Sequence, residues 1–219
     1  MNKLLLTYIF SLILLIVSMW FAISIGSVKI PISTLWDAKT NPDSHFILWN
    51  LRMPRVVLAG LVGASLALAG AALQGLLKNP LADPYTLGIS SGASVGAVAT
   101  IFFGISLPFS GQFTLPIFSM VGAMVTMIIV ISFARLVDRT MKMETFILTG
   151  IIFSSFLGSC ISLMIALTGE QLRVIMNWIL GSVANRGWSY VQMILPFVII
   201  GLIIIWFNRR ELNELVYGE

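Results

Sequence analysis

The sequence has little charge. Only 10% of its 219 residues are Asp, Glu, Lys or Arg, and 58% are hydrophobic. A soluble domain carries about 25% charged residues, so a water-soluble globular domain is excluded. On so apolar a chain the formal net charge of +4 is no argument for nucleic acid, and no nucleic-acid partner is expected. Cysteine is scarce too. Cys160 stands alone inside an apolar run, which rules out a disulfide within the chain and suits a small packing residue. A single histidine, His45, and no grouping of Cys, His and carboxylates leave no metal site to propose. No glycine loop ends in Gly-Lys-Ser or Gly-Lys-Thr, so ATP binding by that route is excluded and no cofactor is expected.

Long apolar runs are what the chain has instead. Six are expected to cross a membrane, at about 4–26, 56–77, 91–107, 113–134, 146–168 and 190–207. The first would reach about 34 Å at 1.5 Å per residue, enough for a bilayer, and it outruns the roughly 7–15 apolar residues of a signal peptide. The expected fold is all-α and polytopic, one transmembrane domain over residues 1–219. Residues 27–51 read as a polar connection. In it Ser33 or Thr34 would cap a short interfacial helix, and Trp36 and Trp49 would sit at the headgroups. Residues 85–90 read as an inward continuation of the third helix. Residues 169–188, broken by charge and glycine, read as a short surface helix.

With the N-terminus inside, Lys3, Lys78, Arg135, Arg139, Lys142, Arg209 and Arg210 fall on the cytoplasmic side. Lys29, Lys39, Arg52, Arg55, Arg173 and Arg186 fall outside. The inside charges occupy the shorter, denser loops, which favours this orientation. None of the six runs contains Asp, Glu, Lys, Arg or His. Ion-coupled carriers usually bury such groups to bind the driving ion. Their absence favours a pathway moved by energy from another subunit, although sodium sites built from carbonyls and hydroxyls stay open.

Small residues recur every fourth position. The ladders are Ala59, Gly63, Ala67, Ala71 and Gly75 in the second run, Gly88, Gly92 and Gly96 in the third, and Gly150, Ser154, Gly158 and Ser162 in the fifth. Such spacing puts them on one helix face, where backbones can approach closely in lipid. A leucine at position 92 should therefore cost more than one at position 104, which lies off the ladder. Between the second and third runs, Asn79-Pro80 and Asp83-Pro84 are two helix-start signals, each a capping side chain ahead of a proline. Polar side chains in and beside the runs are sparse, and the candidates for a pathway are Gln74, Ser90, Ser91, Ser94, Ser154, Ser155, Ser159 and Ser162. They either bond back to their own helices or line a weakly polar pathway.

Arg52 and Arg55 stand three apart around Pro54, which is expected to mark the first turn of the second span. Both then project from nearly the same face, where the helix dipole disfavours cations. Snorkelling to lipid phosphates at the interface is the structural explanation.

Arg52–Arg55, RMPR, followed by LVGASLALAGAALQGLLKNPLADPYTLGISSGA resembles the signature of the FecCD family, the permeases of ABC importers for iron–siderophores, haem and cobalamin. Weaker likeness continues at 147–156, 178–182 and 211–219. The resemblance implies a larger permease fold of about ten helices, so this chain is expected to be a truncated one ending at Glu219. It implies three kinds of protein partner: an extracytoplasmic substrate-binding protein, cytoplasmic ATP-binding subunits, and a second permease copy or paralogue in a dimer. Membrane lipid is the fourth partner. The chain itself is not expected to be an enzyme. Arg52 and Arg55 match the arginines that meet acidic side chains of the binding protein. Met143, Glu144 and Thr145, with Met141 and Lys142 before them, fall at the cytoplasmic gate. Residues 211–219 match the lead-in to the segment that docks on the ATPase. An iron–siderophore is the expected cargo. The competing readings are a secondary transporter or channel for small solutes, and an inactive permease or scaffold.

Overall fold

The computed structural model describes residues 3–26, 28, 30, 34, 41–108, 111–140 and 142–217. The expectations at Lys29, Ser33, Trp36, Lys39, Met141, Gly218 and Glu219 lie outside those residues. The described residues form helices and turns with no strand. They divide into two compact units. One comprises Met1–Ser65 and Val183–Ile204, the other Leu66–Ser182 and Ile205–Glu219.

In the first unit, helix α1 (Lys3–Ser24) is apolar all round and buries none of its residues. That pattern belongs to a helix solvated by lipid. The stretch expected to be a polar connection is helical from residue 42. Helix α2 (Pro42–Ile47) follows Asn41 with proline at its start, passes through a π turn (Leu48–Arg52), and continues as α3 (Met53–Leu76). Pro54 is therefore not at a helix start. The expectation that Arg52 and Arg55 sit on a positive helix end is corrected, because helical backbone already runs from Pro42 to Leu76.

The π turn has a cause. Pro54 has no N–H, so a regular helix would leave the Asn50 carbonyl without its donor. Here the Met53 N–H reaches back five residues to Leu48. Wider i→i+5 pairing moves the vacancy one residue back, to Trp49, whose carbonyl accepts the indole N–H of Trp188 at 2.8 Å. Trp188 begins helix α8 (Trp188–Phe207).

In the second unit, the two proline signals cap turns rather than helices. Asn79 Oδ1 accepts the Leu81 N–H at 2.9 Å, and Asp83 Oδ1 accepts those of Tyr85 at 2.6 Å and Thr86 at 3.1 Å. Residues 85–88 are a turn, not a continuation of the helix. Gly88 has φ +77°, a left-handed conformation that glycine adopts without strain, and α4 (Ile89–Phe102) begins after it. At 14 residues α4 is about 21 Å long, shorter than the expected span over 91–107 and than the roughly 30 Å bilayer core. Five other helical stretches are long and apolar enough to cross: α1, Pro42–Leu76, α5 (Gly111–Val137), α6 (Met143–Leu167) and α8.

The segment around α4 nonetheless runs the length of its neighbour. Leu87 packs with Val130, Ala134 and Phe146. Gly92 lies against Thr126 and Gly122, and Gly96 against Phe118. The Leu107 N–H donates to Thr114 Oγ1 at 3.1 Å. As the α4 numbers rise the α5 numbers fall, so the two run antiparallel. Residues 114–134 of α5 cover about 30 Å, and residues 87–107 line them throughout. Leu87 and Gly88 are buried, so this irregular backbone is shielded by protein, the condition under which it is tolerated at membrane depth. Helix α7 (Leu172–Leu180) buries Ile175 fully, matching the expected short helix, and α9 (Arg209–Tyr217) closes the described chain.

Candidate functional site

The predicted site residues fall in two places, one in each unit, and a glycine-lined helix contact lies within the second unit.

In the first unit Arg52 and Arg55 differ sharply. The Arg52 guanidinium donates through Nη1 to the carbonyl oxygens of Ile23 at 3.0 Å and Ser24 at 3.2 Å, and through Nη2 to that of Val28. Ile23 and Ser24 end α1, where carbonyls lack intrahelical donors and the dipole is negative. Arg52 thus caps α1. Gly26 makes room for it: a Cβ there would lie 2.7 Å from the guanidinium carbon. Arg55 is exposed and makes no hydrogen bond or ion pair with a described residue. Beside them the Trp49 and Trp188 rings meet at 5.5 Å, and Arg186 stacks 4.7 Å from the Tyr190 ring while donating to its hydroxyl at 2.9 Å. The roles of Gly26 and Trp188 were not read from the sequence. Pro54 was the available signal, because a proline within a helix must orphan some carbonyl.

The ladders have three different environments. On α4 the glycines are packed. A Cβ on Gly92 would strike the Thr126 side chain and lie 2.7 Å from the Gly122 carbonyl oxygen. One on Gly96 would lie 2.9 Å from the Phe118 carbonyl carbon. Gly88 is buried near Ser154, with 3.1 Å between its virtual Cβ and Ser154 Oγ, and a Cβ on Gly150 would lie 2.5 Å from the Thr86 carbonyl oxygen. Gly63 and Gly158 have nothing within 4 Å of a Cβ. Gly75, near the end of α3, is half-buried. Gly104 has φ +64° with open space around it, so a side chain there strains the backbone rather than the packing.

Three of the candidate serines turn inward on their own helix. Ser155, Ser159 and Ser162 each bond the carbonyl four residues back at 3.0 Å, and Gln74 bonds the Pro80 carbonyl at 2.9 Å. Ser119 and Ser154 have buried Oγ atoms with no hydrogen-bond partner among the described residues.

In the second unit, Met143, Glu144 and Thr145 form the first turn of α6. Glu144 is exposed there, on the side of the dipole that favours an anion. Thr145 lends its carbonyl to Thr149 Oγ1 at 2.7 Å. The turn before them is built on Asp138. Its Oδ1 accepts the Thr140 hydroxyl at 2.6 Å and the Thr140 N–H at 2.9 Å, and its Oδ2 accepts the Lys142 N–H at 3.2 Å. The Thr140 hydroxyl, then the Thr140 N–H, hold the Asp138 carboxyl below the usual carboxylate range.

The FecCD transport family matches residues 14–219. An uncharacterised ABC transporter permease of Bacillus subtilis, YvrB, is 53% identical over 97% of this chain and 63% of its own length. The hemin transport system permease HmuU of Yersinia pestis is 35% identical over 96% of this chain and 63% of its own. The cobalamin import permease BtuC of Halobacterium salinarum is 36% identical over 80% and 46%. The chain thus spans less than two thirds of these relatives. Among solved structures, an inward-facing metal-chelate type ABC transporter superposes with a TM-score of 0.77 at 28% identity, covering 95% of this chain and 64% of that one.

Proposed function

The chain belongs to the FecCD transport family, and from that premise we propose that it serves as the transmembrane permease subunit of a binding-protein-dependent ABC importer for a metal chelate. An iron–siderophore, haem or cobalamin is the class of cargo. The membrane is the bacterial cytoplasmic membrane. Six crossings place both described ends inside, with the segment through α4 as the third. A substrate-binding protein docks outside at the start of α3, near Arg52 and Arg55. A pair of ATP-binding subunits works inside, and a second permease completes the dimer.

One observation supports this reading above the rest. The middles of α1, α3, α5, α6 and α8 hold no Asp, Glu, Lys, Arg or His, and Ser155, Ser159 and Ser162 of α6 spend their hydroxyls on their own backbone. Such helices have little with which to hold a driving ion. Tightly packed small-residue faces instead suit rigid helices that move as bodies when another subunit does work. The glycines of α4 and Gly150 are the packing surface, and the first turn of α6 at Met143, Glu144 and Thr145 is the cytoplasmic gate.

The test is uptake by the assembled transporter in proteoliposomes, with a ferric hydroxamate, haem and cobalamin as separate probes. Uptake of one of them should require ATP at the cytoplasmic face and stop with vanadate. Uptake that persists without ATP and follows an imposed sodium or proton gradient would replace this reading with a secondary carrier.

A further inference from the structure

We propose that Arg52 and Arg55 do not act as a pair: Arg52 is an internal clamp between α1 and the π turn, and Arg55 alone is offered to an acidic partner. The inference rests on the docking reading above and narrows it to one side chain.

Arg52, half-buried, has three of its five N–H donors committed. Two bonds go to the last carbonyls of α1, and a third to Val28 beyond it. These are charge-assisted bonds from a planar fork, the geometry in which arginine outperforms lysine. Releasing Arg52 to a partner's carboxylate would orphan the end of α1 and undo its tie to residues 48–52. Gly26 shapes the pocket, since any Cβ would press on the guanidinium. Arg55 lies three residues on in helical backbone, exposed, with no bond to a described residue. Its fork is free to pair with a carboxylate from outside the chain. The acidic partner should therefore form one salt bridge per permease at this site, not two.

The test uses the assembled transporter in intact spheroplasts and the membrane-impermeant reagent 4-sulfophenylglyoxal, which adds to free guanidinium groups. Mass spectrometry reads the extent at each arginine. Arg55 should react about tenfold or more faster than Arg52, the factor set by breaking at least one charge-assisted hydrogen bond. Gly26→Ala should bring Arg52 to within a few-fold of Arg55 and leave the Arg55 rate unchanged. Equal rates in the unmodified protein overturn the clamp, and that ratio decides the matter even if Gly26→Ala does not accumulate. Continued protection of Arg52 in an accumulating Gly26→Ala protein overturns it too. The docking reading fails separately. If Arg55 is inert in spheroplasts but reacts in inverted vesicles, the start of α3 faces the cytoplasm, while the ratio measured in those vesicles still supports the clamp.

Discussion

Trp188 donates its indole N–H to the Trp49 carbonyl oxygen at 2.8 Å, 139 residues away in the chain. That carbonyl is the one orphaned when Pro54 comes after the π turn. A covalent accident of proline chemistry thereby becomes an attachment point between two helices.

Trp188→Phe keeps most of the ring contact and removes only the donor. The exposed Trp49 carbonyl then loses its protein partner, at a cost of about 0.5–1.5 kcal/mol. Unfolding in mixed detergent should show that loss. Pro54→Ala restores a backbone N–H and lets the π turn relax, so Trp188→Phe should cost clearly less in a Pro54→Ala background. Additive losses in this double-mutant cycle would show that the bond and the proline are not coupled.

Gly92→Ala and Gly96→Ala should each destabilise by about 1–3 kcal/mol, because the added methyl meets Thr126, or the backbone of Phe118, with no room to move. Gly158→Ala should be neutral or stabilising by up to about 1 kcal/mol, since it meets nothing and gains helix propensity. Gly104 is no neutral comparison: its φ of +64° makes a side chain costly for backbone reasons alone. Thermal melting of the detergent-solubilised variants, with Gly104→Ala as the fourth, ranks them all. Equal melting of the Gly92 and Gly158 variants would remove the packing role from the α4 glycines.

The apolar runs made the long helices legible, because a 20-residue stretch without charge has few other fates in water or lipid. The same rule of a capping residue before proline had unequal success. It describes Asn41-Pro42, where a helix does begin, yet Asn79-Pro80 and Asp83-Pro84 start only turns. Asn41 makes no side-chain cap bond although a helix follows it, whereas Asn79 and Asp83 do accept backbone N–H groups, so the residues downstream decide the outcome. Gly88 adopts a left-handed φ and stops any helix from 84 before it forms. The environment of each ladder was illegible for another reason. Spacing places small residues on one face but says nothing about whether another helix covers that face, as Gly63 and Gly92 show. Arg52 and Arg55 look equivalent in sequence, and only the end of α1 tells them apart.

Asp138 organises the turn between α5 and α6, and its carboxyl is held below 3.8, first by the Thr140 hydroxyl. A carboxylate with a lowered folded pKa contributes stability above its unfolded pKa, and loses it as pH falls through the folded one. The turn should therefore be ordered at neutral pH and loosen only in acid below the ordinary carboxylate range. Thr140→Val removes the largest cause, so the carboxyl should titrate closer to 3.8. Asp138→Asn should abolish the acid dependence. Carbonyl-labelled aspartate followed by NMR in detergent reports both, and a titration of Asp138 unmoved by Thr140→Val would contradict the assignment.

Whether α4 carries the chain across decides the sidedness of everything after it. If residues 87–107 complete a crossing, α3 enters from outside, the α4 segment returns, and α5 comes back in. Position 55 is then outside and position 139 inside. If the short helix stays on one surface, α5 reverses and both positions face out. The packing favours the crossing, because residues 87–107 flank α5 from Ala134 to Thr114, a depth of about 30 Å. The basic residues Arg135, Arg139 and Lys142 at the far end of α5 agree, since cytoplasmic loops concentrate positive charge. The measurement is maleimide labelling of Arg55→Cys and Arg139→Cys in a Cys160→Ala background. An impermeant maleimide added to intact spheroplasts should label position 55 and leave position 139 unlabelled until the membrane is opened. Labelling of both from outside would make α4 a surface helix, and would move the turn at Asp138 and the first turn of α6 away from the ATP-binding subunits they are proposed to face.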